Sequence, residues 1–187
     1  VLYYPTVGAL AVLACIALVI VAAGVPAAAV ARGDVVALLV GMWVLGLAGI
    51  VVLAALLSLF DAFTRPWLLA SSAAWCAASL VAARTGRIRL PPLEQSRSAL
   101  REILRDPALA LLAAANAVVL AYSAALALFT PPSEDDALTY HLIRSAFWKQ
   151  DHAIGWVHDT IDLRANVSPP VAEIAVAATM VLDQGER

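Results

Sequence analysis

Long apolar runs broken by short polar turns set the pattern of this chain. Val7 to Val30, Val35 to Phe60, Trp67 to Ala83 and Ala108 to Thr130 contain no charged residue. A helix needs about 20 such residues to cross the hydrocarbon core of a bilayer. Backbone groups in lipid must be bonded within their own segment, which favours helices over strands. The pattern predicts an all-α polytopic membrane protein with four complete transmembrane helices. A fifth apolar run opens near Pro169 and reads as the start of a further span.

The connectors differ in length and charge. Ala31 to Asp34 is a tight turn, so the first two runs form a helical hairpin, and Asp61 to Pro66 is another short turn. The connector from Arg84 to Pro107 is longer and carries Arg84, Arg87, Arg89, Arg97, Arg101 and Arg105. Basic loops stay on the cytoplasmic side, and the remaining turns follow by alternation. Arg32 is then cytoplasmic, while Asp61 to Pro66 and everything from Pro131 to Pro170 face outside. Within the basic connector, Leu100, Ile103 and Leu104 share one helical face, and Arg97, Arg101 and Arg105 share another. That stretch predicts an amphipathic helix lying on anionic lipid, with an orientation signal as its plainest role. Three units follow: a membrane extension over residues 1–83, the basic connector over 84–107, and a second membrane unit over 108–187.

Composition agrees with this division. Of the 187 residues 63% are apolar and 14% charged, with a mean hydropathy of +0.86, against about 25% charged residues in ordinary soluble domains. Lys149 is the only lysine beside eleven arginines, which with the alanine-rich spans suggests a GC-rich bacterial genome. Cys15 and Cys76 both fall inside apolar runs and read as small buried thiols, with no disulfide framework or metal motif. The first run lacks a basic flank and a cleavage site, so a span is expected there rather than a removable leader. Val1 in place of Met, and an apolar run still in progress near the last residue, predict a piece of a longer protein. Ser71, Ser72, Ala73 and Ala74 are small enough for close helix packing. Asn116, inside the fourth run, is expected to bond across to another helix.

From Pro131 to Pro170 the character changes. All three histidines, His141, His152 and His158, lie here, with Glu134, Asp135, Asp136, Asp151, Asp159 and Asp162. Long ordered loops on a rigid scaffold commonly carry function. Asp136 to Gln150 lacks Pro and Gly and can form a helix. On its wheel Leu138, Tyr140, Leu142, Ile143, Ala146 and Phe147 make an apolar arc, and His141, Arg144, Ser145 and Trp148 an opposite, more polar one. Such a helix is expected to lie in the interface plane with Trp148 at the rim. Glu134, Asp135 and Asp136 stand in its first turn, where the helix dipole favours carboxylates. Capping, cation binding and general-base chemistry all suit a bare acidic triplet. His152, His158, Asp159 and Asp162 fit no zinc spacing well. Asn166-Val167-Ser168 is formally a glycosylation acceptor, but Pro169 follows and argues against that use.

The order of elements resembles the GT-C superfamily of membrane glycosyltransferases, which includes protein O-mannosyltransferases and aminoarabinose transferases. A basic loop, a span, an acidic pair, an interfacial helix and a Pro-Pro motif follow one another. DALTYHLIRSAFWKQDHAI is similar to that family's D-x-L-x-Y-H-L stretch and trailing helix, and DLRANVSPPVAE to its R-Q/N-x-x-x-P-P-x-A-E segment. The resemblance covers Leu109 to Asp183. Two departures matter: three spans precede the one that would be first in the family core, and the chain stops before most of that core.

The resemblance implies transfer of a sugar from a polyprenyl-phosphate donor to an acceptor hydroxyl on the extracytoplasmic face. Asp136 would be the catalytic base, with Asp135 beside it as second choice. The pair would also be the candidate ligands of a divalent cation, Mg or Mn. Arg164 would meet the leaving phosphate, since a guanidinium matches phosphate oxygens. Tyr140, His141, Arg144 and Glu173 would complete the substrate-binding set. Glu173, at the start of the last apolar run, should face protein or a cavity rather than lipid. Membrane lipids and the lipid-linked donor are the expected partners, with no nucleic acid. A different class remains open: a non-enzymatic integral membrane protein, either a transporter segment or an accessory subunit, whose external loop binds cations or a partner.

Overall fold

A computed structural model describes residues 5–32, 34–86, 93–129, 141–158, 166 and 170–184. Its helices are α1 (Pro5–Ala31), α2 (Val35–Ser58), α3 (Arg65–Arg84), α4 (Leu93–Arg105), α5 (Pro107–Phe129), α6 (Leu142–Asp151) and α7, which is Val171–Gln184. No strand occurs among the described residues. Gly8–Ala31, Val35–Ser58 and Arg65–Arg84 are long and apolar enough to cross a membrane. The described apolar part of α5, Pro107–Tyr122, is shorter.

Local chemistry sets the boundaries. Asp34 caps α2, its Oδ1 accepting from Val36 N at 2.8 Å and Ala37 N at 3.1 Å. Asp106 caps α5 in the same way, through Ala108 N at 2.9 Å and Leu109 N at 3.2 Å. Each carboxylate satisfies amides that the first helical turn leaves unbonded. Pro66 lies in the first turn of α3, where its missing amide costs no hydrogen bond.

Helix α1 is the centre of the bundle, with α2 and α3 on its flanks. Its seam is lined by buried Ala22, Ala23, Ala27 and Ala28. Cys15 Sγ meets Ser72 Oγ at 3.6 Å, and Ser79 Oγ donates to Ala22 O at 3.0 Å. Both thiols are buried and free, as expected of the cysteines; of the small-residue patch Ser72 is fully enclosed, whereas Ala73 and Ala74 are exposed and do not serve close packing. Gly49 lies against the Trp75 ring, where a Cβ would collide with it. The outward faces carry Leu39, Trp43, Val52 and Leu56, all exposed, as suits a surface that meets lipid tails.

The 14-residue α7 presents Glu173, Ile174, Ala177, Ala178, Val181 and Leu182 to the protein. It shares one core with Ala11 and Cys15 of α1, Ala54 of α2, Phe63 and Leu68. At a rise of about 1.5 Å per residue it is about 21 Å long, short of the roughly 30 Å of a bilayer core. In its last turn, Asp183 meets Gly8 in the first turn of α1.

Two hydrogen bonds fasten the turn between α2 and α3 to the segment after α6. Phe63 N donates to His152 O at 2.8 Å, and Ile154 N donates to Ser58 Oγ at 2.8 Å. His152 ends α6 in the left-handed region, with φ 55°, which turns its carbonyl toward Phe63. Asn166 holds the same segment, since its side chain both accepts from Val157 N and donates to Val157 O, each at 2.9 Å. Its amide nitrogen thus serves the fold, in keeping with the reading against glycosylation.

Two sequence expectations are corrected. Asn116 does not reach another helix: Nδ2 donates to Leu112 O of its own helix at 2.9 Å. The reason is that α5 packs chiefly on α4, and its side chains from Leu111 to Tyr122 are exposed. The second correction concerns α6. Its polar arc, expected to face away from the apolar contact, is the buried one. Arg144, Ser145 and Trp148 are enclosed while Ile143, from the apolar arc, is exposed. Trp148 is therefore a core residue and not a rim anchor.

Candidate functional site

The inward turn of α6 follows from Glu173. A buried carboxylate without a partner costs several kcal/mol, so the helix packed against α7 presents its polar arc to that residue. His141 Nδ1 lies 2.6 Å from Glu173 Oε1, and Arg144 Nη1 lies 3.7 Å from the same oxygen. The side chains of Arg144 and Glu173 are each 2% exposed, while that of His141 is 41% exposed. Glu173 Oε2 is buried without a hydrogen-bond partner among the described residues.

A surrounding set of contacts fixes this cluster. The Arg144 guanidinium stands 5.4 Å from the centre of the Trp148 ring, a cation–π distance. Trp148 Nε1 donates to Gly155 O at 2.7 Å. Ser145 Oγ lies 3.0 Å from His141 O and 3.1 Å from Glu173 O, and donates to these carbonyls. It thereby ties the first turn of α6 to the first turn of α7. At the other end of the pair, burial pushes the Lys149 amine below its ordinary value, and the charge of Asp183 partly opposes this.

Of the residues marked from sequence, the structure brings together His141, Arg144 and Glu173. Glu173 faces protein, as its cost in lipid predicted. Arg144 is packed between Glu173 and Trp148. Asp135, Asp136, Tyr140 and Arg164 lie outside the described residues, as does Glu134. Sequence reading missed Ser145 and Trp148 as parts of the site. A signal for both was present: His141 with Ser145 and Arg144 with Trp148 are spaced i, i+4, the separation at which helical side chains meet.

The cluster can bind, orient and exchange protons. It offers one half-exposed imidazole, one buried carboxylate and one buried guanidinium. Among the described residues no group of three His, Cys, Asp or Glu could hold a metal ion. Asp135 and Asp136, the candidate ligands named from sequence, lie outside the described residues. Comparison with protein-family models, curated proteins and solved structures finds no match.

Proposed function

We propose that the chain belongs to an integral membrane glycosyltransferase of the GT-C type. It would carry sugar from a polyprenyl-phosphate donor to an acceptor hydroxyl on the extracytoplasmic face. One observation supports this most. His141 and Glu173, from the two segments that carry the resemblance, meet at 2.6 Å although 32 residues separate them. Spacing on one helix cannot produce that meeting; it needs the interfacial helix and the segment after the Pro-Pro motif to pack as one unit.

In this reading α5 is the fourth span and the first of the catalytic unit, which covers 108–187. The helices of residues 1–83 form an extension, and the 84–107 connector lies on the cytoplasmic side. Asp136 would be the catalytic base, with Asp135 as second choice, and Arg164 would draw off the negative charge of the leaving phosphate. Tyr140 and His141 would take part in substrate binding. Arg144 acts from behind Glu173 as its counter-ion, because a guanidinium so enclosed has little access to a lipid phosphate.

The test is Asp136→Asn in the protein as it occurs in membranes, supplied with a polyprenyl-phosphate sugar. Sugar transfer is expected to fall by about 10² or more, with the amount of folded protein unchanged. Full transfer by the variant would remove Asp136 from the site. A wild-type protein that binds cations or a protein partner through the 131–170 loop, and transfers no sugar, would favour the accessory-subunit reading.

A further inference from the structure

We propose that α4 is a docking site for the phosphate headgroups of anionic lipids, held by Arg97, Arg101 and Arg105. This stands independently of the glycosyltransferase reading above.

Spacing sets the row. Three arginines four residues apart fall within an arc of about 80° on a helix and span about 12 Å along its axis. All three are exposed, and no ion pair among the described residues engages any of them. Like charges at i, i+4 repel, so two such pairs in one row destabilise the helix until an anion sits against them. The carboxylates nearby do not supply that anion. Glu94 stands in the first turn of α4, where the helix dipole favours it. Glu102 lies about 60° outside the row. Asp106, one residue past the helix, gives its Oδ1 to Ala108 N and Leu109 N of α5.

The occupant follows from what lies beside the row. Leu104 is 63% exposed and stands about 20° from Arg97 on the same wheel. A soluble acidic partner would match the charge alone. A lipid surface matches both, because guanidinium groups pair with phosphate oxygens while an adjacent leucine enters the boundary of the acyl chains.

The chain also holds α4 close to apolar helices at both ends. Residues 85–92 link it to α3, which is long and apolar enough to cross a membrane and ends at the exposed Arg84. Asp106 alone separates it from α5, whose side chains from Leu111 to Tyr122 are exposed. Packing of α4 is chiefly on α5, so the bundle of α1, α2 and α3 leaves the arginine row open. So short a tether keeps the row at a high effective concentration of headgroups.

The test places the full protein in nanodiscs of phosphatidylcholine, with or without phosphatidylglycerol, and follows amide hydrogen exchange over residues 93–105. Each arginine at an anionic surface contributes a factor of about 5. Exchange in α4 should therefore slow by up to about 10²-fold when phosphatidylglycerol is present, and added salt should reverse the slowing. In the triple variant Arg97→Gln, Arg101→Gln, Arg105→Gln the slowing should vanish, while exchange in α1, α2 and α3 stays as in the wild type. Inorganic phosphate added to phosphatidylcholine discs should change nothing; slowing by phosphate alone would show a site for the free ion and overturn the lipid as occupant. Equal exchange in the two lipid compositions overturns the proposal and leaves the row to a soluble acidic partner. A lipid effect that survives in the triple variant overturns the assignment to these arginines.

Discussion

The seam between α1 and α3 and the seam between α6 and α7 both bury polar atoms, by opposite means. The first uses only neutral groups on small side chains: the Cys15–Ser72 contact and the Ser79 bond to a backbone carbonyl. The second encloses a guanidinium and a carboxylate, with an imidazole at its edge. A neutral hydrogen bond contributes about 1 kcal/mol. Stripping one partner from a buried charge pair costs about 3–5 kcal/mol, because the other charge is left behind. The spans are thus tolerant at each polar position, whereas the α6–α7 unit depends on all of its charges together.

The largest break in that contrast should come from Glu173→Leu. It leaves Arg144 buried beside an apolar side chain, and we expect a loss of about 3–5 kcal/mol, read by thermal unfolding in detergent. Protease sensitivity of α6 should rise with it. The double variant Arg144→Met with Glu173→Leu should recover most of the loss. If Glu173→Leu unfolds no earlier than Ser79→Ala, the two seams do not differ as described.

A smaller effect is expected from Ser72→Leu, which asks the enclosed α1–α3 seam to hold a larger side chain. Overpacking of this kind costs about 1–3 kcal/mol. Ser72→Ala should cost less, since it removes one weak neutral contact, and a reversed order would show that the hydroxyl outweighs the space. The smallest effect belongs to Lys149. Burial lowers the proton affinity of its amine in the folded state, with Asp183 in partial opposition. The unfolded chain then binds that proton more tightly, so the penalty is present at neutral pH and fades as pH rises through the lysine range. Lys149→Met should melt slightly higher at neutral pH, and the gap should close in alkaline buffer.

The three long apolar helices were legible because each depends on neighbours in sequence: about twenty apolar residues announce a helix able to cross a bilayer. The α6–α7 cluster was legible only in its membership. His141, Arg144 and Glu173 could be marked, but their meeting spans 32 residues, and no periodicity spans that distance. The wheel of α6 gave two correct arcs and the wrong inward face. It assumes that polar residues seek water, and Glu173 reverses this by waiting inside. Trp148 misled for a related reason: aromatic residues favour interfaces, but this one carries Arg144 on its ring. Asn116 lacked the second helix that a cross-helix bond requires.

The two stitches at Phe63–His152 and Ser58–Ile154 have a consequence for biogenesis. Their partners lie about ninety residues apart in the order of synthesis, with the basic connector between them. Neither stitch can form until the segment after α6 has been made and has reached the turn that precedes α3. Until then Phe63, fully buried in the finished fold, lacks part of its cover. Closing the turn between α2 and α3 is thus a late event, completed from further along the chain rather than by the hairpin itself.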